Sequence, residues 1–142
     1  MQKEILLELL AQNKKTCFYA FDRITEQNVG YRLNEKTASV GFIYRHIGEA
    51  MNLFGSHFGI PTEIQNTTMG EQDSGQHFDL GTSRLYVEQG YEMLKTLIEN
   101  VPDAARPDPS ETPLVGTASI AHILFHNSHH AGQISLTLSK GQ

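Results

Sequence analysis

Thr37-Ala38-Ser39-Val40-Gly41-Phe42-Ile43-Tyr44-Arg45-His46 returns 80 residues later as Thr117-Ala118-Ser119-Ile120-Ala121-His122-Ile123-Leu124-Phe125-His126. Five of the ten positions are identical, and Val40/Ile120 and Gly41/Ala121 are conservative pairs. A Thr-Ala-Ser lead reads as a helix cap and first turn, because short hydroxyl side chains accept hydrogen bonds from the otherwise unpaired first amides. Apolar residues then recur at spacings of three and four, the period of a half-buried helix. One such helix runs from about Ser39 to Phe58, with Val40, Ile43, Ile47, Ala50 and Phe54 on one face, and Gly59, Ile60 and Pro61 stop it. The other begins near Thr117 or Ala118 and runs to Ser139. Ile120, Ile123, Ala131, Ile134 and Leu138 set its apolar direction, and Lys140 and Gly141 close it.

The same period extends outward from these two. Leu6, Leu10, Asn13, Cys17, Ala20 and Ile24 form a seam that predicts a first helix over residues 2–27. Asn13 interrupts that seam, either as a buried amide paired with a neighbour or as a polar group facing a cavity. Leu85, Met93, Leu94, Leu97 and Ile98 anchor a further helix over about residues 82–100. Strand signals are scarce. Residues 59–81 lack periodicity and read as a long loop, and the stretch 101–116 carries four prolines and cannot be regular helix. Four helices of this length predict a single all-α domain over residues 1–142, a four-helix bundle. At about 3.3 Å per residue the 59–81 loop can run the full height of a bundle about 30 Å tall. A crossover that leaves helices two and three parallel is therefore open to it.

The repeat also aligns two histidines. Each lies nine residues past its threonine, about 13 Å into its helix. Residues near helix midpoints come level whether the helices run parallel or antiparallel, so His46 and His126 are expected to meet. Residues four apart share a helix face, which adds His130 to His126. The repeat offers Ala50 at the position matching His130, so three ligands result: His46, His126 and His130. Three neutral imidazoles leave coordination positions of a divalent ion open, the pattern of catalytic rather than structural zinc sites. Zinc suits such a set, nickel, iron and manganese are not separated from it by residue type, and the iron pattern of two histidines and one carboxylate is unmatched. His122 and His129 read as solvent-facing or peripheral, and His57 and His77 as ordinary surface or core histidines. Glu49, one turn from His46, reads either as an acceptor for its ring or, the favoured alternative, as a solvated surface glutamate.

Composition narrows the partners. A net charge of -5 with no basic run argues against a nucleic-acid groove. Cys17 is the single cysteine, which excludes an internal disulfide and fits a reducing compartment. No stretch approaches the roughly 18 apolar residues of a membrane span, and the acidic N-terminal segment does not read as a signal peptide. The expectation is a cytoplasmic protein that does not engage membrane. Its pocket selectivity is expected from helices one and three, through residues such as Asn13, Phe18, Phe21 and Tyr86.

Arg45-His46-Ile47 in the second helix and His126-Asn127-Ser128-His129-His130-Ala131-Gly132-Gln133 in the fourth resemble the DinB/YfiT-like family of four-helix metalloproteins. The Thr-Ala-Ser-Val-Gly lead, the long middle loop and the proline-rich stretch extend the likeness over essentially the whole chain. The resemblance implies an up-down-down-up bundle, a three-histidine site holding zinc or nickel with water completing the shell, and homodimers. It further implies chemistry with low-molecular-weight thiols, since members with known activity include thiol-dependent S-transferases and a glutathione- or mycothiol-dependent maleylpyruvate isomerase. The absence of tryptophan and the extra histidines at 122 and 129 depart from some relatives. Two functional readings follow. One is a metal-dependent enzyme, a thiol S-transferase or hydrolase acting on a small molecule through a metal-activated nucleophile. The other is a non-catalytic, stress- or damage-inducible metal-binding protein. A bundle whose histidines bind nothing is the bland third.

Overall fold

The computed structural model describes residues 2–100 and 117–142, so the proline-rich stretch expected at 101–116 lies outside the described residues. Four helices and no strand occur among them: α1 (Gln2–Phe21), α2 (Val40–Ser56), α3 (Leu80–Asn100) and α4 (Thr117–Lys140). They pack as a four-helix bundle in which α2 touches α3 and α4, and α1 touches α4 and α3. No helix among the described residues is long and apolar enough to cross a membrane.

The pairings fix helix directions. Arg45 reaches Ser83, Asn52 reaches the Tyr86 carbonyl, and a Cβ added at Gly90 would meet Met51. Residue numbers rise together across α2 and α3, so these neighbours run parallel. They rise together in α1 and α4 as well, from Asn13–Leu124 to Arg23–Ser135. Between α1 and α3 they run oppositely, since Lys14 pairs with Glu88 while Arg84 donates to the Ile24 carbonyl. Close approach of α2 and α3 depends on small residues. A Cβ at Gly48 would lie 2.7 Å from that of Tyr86, and one at Gly90 would lie 2.7 Å from that of Met51. Above this seam the buried Arg45 guanidinium lies 4.8 Å from the ring centres of both Phe78 and Tyr86, and its Nε donates to Ser83.

The end of the first helix and the cap of the second differ from the sequence reading. The first helix stops at Phe21, although its seam continues apolar and Ile24 is fully buried. Asn28 causes the stop: its side chain accepts from the Thr25 amide and donates to the Arg23 carbonyl, folding the chain into turns. The second helix is capped by Ser39, whose hydroxyl accepts from the Phe42 amide, whereas α4 is already helical at Thr117. Thr37 is therefore not a cap, and the two halves of the repeat enter their helices at different positions. After Ser56 the chain reverses at Gly59, whose φ of 84° suits glycine. Leu85, expected as an anchor, is 53% exposed; Leu80, Val87 and Tyr91 are buried in α3 instead.

Candidate metal centre

His46 from α2 and His126 and His130 from α4 converge where these two helices cross. Their ring centres lie 4.4–4.9 Å apart, and one ligand atom from each falls within 4.8 Å of the others. Nε2 of His46 is 2.9 Å from Nε2 of His126. No other group of three ligating side chains this close occurs among the described residues. His122 and His129 are exposed on α4, and His57 and His77 are exposed elsewhere. None of the four joins the cluster.

Hydrogen bonds orient two of the three rings. Nδ1 of His46 lies 3.2 Å from the Thr68 hydroxyl, which lies 3.4 Å from Oε2 of Glu49. A carboxylate only accepts, so a threonine proton given to Glu49 leaves the hydroxyl oxygen to accept the Nδ1–H of His46. In that arrangement the lone pair of His46 lies on Nε2, inside the cluster. Nδ1 of His130 donates at 2.6 Å to Oε1 of Gln133, which leaves its lone pair on Nε2 as well. The Gln133 amide nitrogen in turn points at Nε2 of His129, 3.4 Å away. Nδ1 of His126 and Oδ1 of the adjacent Asn127 are both buried without a partner.

Glu49 is not the solvated glutamate expected from its position in the sequence. It is 0% exposed, and its carboxylate accepts from the backbone amide and the hydroxyl of Thr67. The cause is the α2–α3 crossover, which folds back over this face of α2 and brings Thr67 and Thr68 against it. Sequence reasoning missed both threonines, because nothing in an aperiodic loop marks which residues return to a helix. The spacing of Glu49 from His46 was the available signal.

Burial suppresses the charge on this cluster. His46 is lowered from an ordinary 6.5 to about 4, first by burial and then by His130. His126 is lowered to about 3, by burial ahead of the neighbouring His130 and His46. His130 is also lowered by burial, with the Gln133 hydrogen bond opposing. All three are neutral at physiological pH, the form in which imidazole ligates metal.

A cleft of about 470 Å³ opens beside the cluster, with His46 and His130 in its wall. Leu33, Ala38, Phe42 and Ile43 form an apolar side, and Thr37, Thr68, Gln133 and Thr137 a polar one, with Glu71 as the charged residue of the lining. The residues expected to line it do not. Asn13 is a buried amide that donates to the Leu124 carbonyl and the Ser128 hydroxyl and accepts from the Tyr91 hydroxyl. Phe18 packs edge-on against Phe21 and Tyr91, and Tyr86 covers Arg45. The cleft belongs to α2, α4 and the two connections flanking α2. No protein-family model, curated protein or solved structure matches this chain.

Proposed function

We propose that this chain is a DinB/YfiT-like metalloprotein in which His46, His126 and His130 hold one divalent ion, zinc or nickel, and that the neighbouring cleft is the site of thiol-dependent S-transfer. The observation that carries the reading is the orientation of the rings. With Thr68 and Gln133 accepting the Nδ1 protons of His46 and His130, the Nε2 lone pairs of these two rings point into a half-buried cluster that also holds Nε2 of His126, 2.9 Å from that of His46. Metal-ligating histidines commonly hold their second nitrogen in this way.

The donor set fits such an ion. Zinc–nitrogen bonds of about 2.0–2.1 Å require neutral nitrogens a few ångströms apart, and three are present within 4.8 Å. Parallel packing of α2 with α3 and of α1 with α4 describes an up-down-down-up order, which supports the family resemblance. When bound, the ion supplies Lewis acidity that favours the deprotonated form of a thiol or water at neutral pH. The chain's own residues do the rest. His46 and His130 face the cleft, Leu33, Phe42 and Ile43 offer a water-poor wall to an apolar electrophile, and Thr37 and Thr137 offer hydroxyls to its polar groups. Cys17 is buried beside Asn13 and its thiol is pushed up by burial, so it is not the nucleophile.

A cleft reaching two of the three ligands favours chemistry over storage, because a site that only holds metal has no need of adjoining space. Elemental analysis of untagged protein tests the centre, with one equivalent of zinc or nickel expected. Screening glutathione, bacillithiol, mycothiol and cysteine against monochlorobimane tests the reaction. Metal without any turnover across thiols and hydrolase substrates would favour the non-catalytic reading.

A further inference from the structure

We infer that Glu49 is a positioning residue for the metal centre, acting on His46 through the Thr68 hydroxyl, and that it makes the α2–α3 crossover part of that centre. The inference rests on the metal reading above but names residues that the histidine cluster does not contain. A fully buried carboxylate in a bundle core is costly unless its oxygens are occupied. Glu49 meets no cation among the described residues that would explain it as an ion pair. Its oxygens are instead met from one short segment: the Thr67 amide donates to Oε1, the single Thr67 hydroxyl proton lies between the two oxygens, and the Thr68 hydroxyl approaches Oε2.

The Thr68 contact gives this arrangement a direction. One hydroxyl lies between the carboxylate and the ring, 3.4 Å from Oε2 and 3.2 Å from Nδ1 of His46. A carboxylate placed on the hydroxyl turns the oxygen lone pair toward the ring, so His46 keeps its proton on Nδ1 and its lone pair on Nε2. Polarising a ligand's distal N–H toward negative charge also makes the ligating nitrogen more basic. Glu49 thereby secures two things together: the ligating tautomer of His46, and the fold of residues 66–69 over the helix. Asn66 completes that fold by accepting from the Thr68 and Met69 amides.

The test uses the full chain with Thr68→Val, which removes the hydroxyl at constant size, Thr68→Ser, which restores it, and Glu49→Gln. Nitrogen-15 NMR of the metal-free protein reads the His46 tautomer, and competition against a chelator reads zinc affinity. Wild-type protein is expected to hold His46 in the Nδ1–H form. Thr68→Val is expected to mix the tautomers and weaken zinc by about 10- to 100-fold, the usual effect of removing such a partner. Thr68→Ser should restore both readouts, and Glu49→Gln should weaken zinc while leaving one zinc per chain. Unchanged tautomer and affinity in Thr68→Val would overturn the inference. So would a Thr68→Ser protein as impaired as the valine variant, which would assign Thr68 a packing role only. Wild-type protein that binds no zinc or nickel overturns the ligand assignment, whereas a tautomer change in Thr68→Val would still show the relay, so the two failures are distinguishable. Should Thr68→Val fail to fold, Glu49→Gln carries both readouts, and wild-type values there would overturn the inference.

Discussion

Two polar clusters lie inside this bundle, and they are built to opposite rules. Around Asn13, between α1, α3 and α4, every atom of the amide is used: Nδ2 donates to the Leu124 carbonyl and the Ser128 hydroxyl, while Oδ1 accepts from the Tyr91 hydroxyl at 2.9 Å. Cys17 fills the remaining space with its thiol 3.7 Å from the same oxygen. Around His46, between α2 and α4, the hydrogen bonds run outward to Thr68 and Gln133, and the inward-facing nitrogens are left to each other. A closed network holds a bundle in register. A cluster of imidazoles beside a cleft holds little else in register, and its inward nitrogens pair only with one another.

Substitution at the open cluster should give the largest effect. His126→Ala is expected to abolish stoichiometric metal binding, read by elemental analysis of untagged protein, while the metal-free variant stays folded. Full metal content in that variant would make the two clusters equivalent and remove the ligand assignment. Asn13→Ala should do the reverse. It strands the Tyr91 hydroxyl proton in the core and leaves a cavity there, which costs roughly 2–4 kcal/mol in a denaturant titration, with one metal still bound per chain.

Acid distinguishes the clusters next. The folded-state values of His46 and His126, about 4 and about 3, lie below the ordinary 6.5. The unfolded chain therefore takes up protons first, and stability of the metal-free protein should be full above pH 6.5 and fall as pH drops through 6.5 towards 3. A variant carrying alanine at both positions should flatten that slope in pH-dependent denaturation. An unchanged slope would mean that burial of these rings does not control acid sensitivity. Last comes His129→Ala. The side chain is exposed and meets the site at its edge, through Gln133 and an edge-on ring contact with His130 at 5.1 Å, so stability should move within about 0.5 kcal/mol and metal content should not change.

How much of this was legible follows from the range of each interaction. Helix existence and the meeting of His46 with His126 could be read because periodicity and the repeat are local patterns. The end of α1 could not, because the Asn28 side chain decides it while Ile24 keeps the apolar rhythm beyond the helix. Glu49 was misread for a related reason. A glutamate in a helix is usually solvated, and what buries it comes from a loop whose path no periodicity encodes. The cleft walls were misassigned to α1 and α3, where Phe18, Phe21 and Tyr91 instead fill one another's space. Ser39 shows the same limit on a smaller scale, since Thr37 and Ser39 are equally good caps by type.

Parallel packing of α2 and α3 also bears on how the chain assembles. Antiparallel helices joined by a short turn can dock progressively from the turn, each contact shortening the loop that the next must close. Here the contacts span 34 residues from Asn52 to Tyr86 and 38 from Arg45 to Ser83, so the closure entropy comes due with the first of them. His46 and His126 stand 80 residues apart and meet only once α4 is also in place. Closing that separation costs more loop entropy than the α2–α3 contacts do, and an ion held between the two rings would offset part of that cost in the folded state.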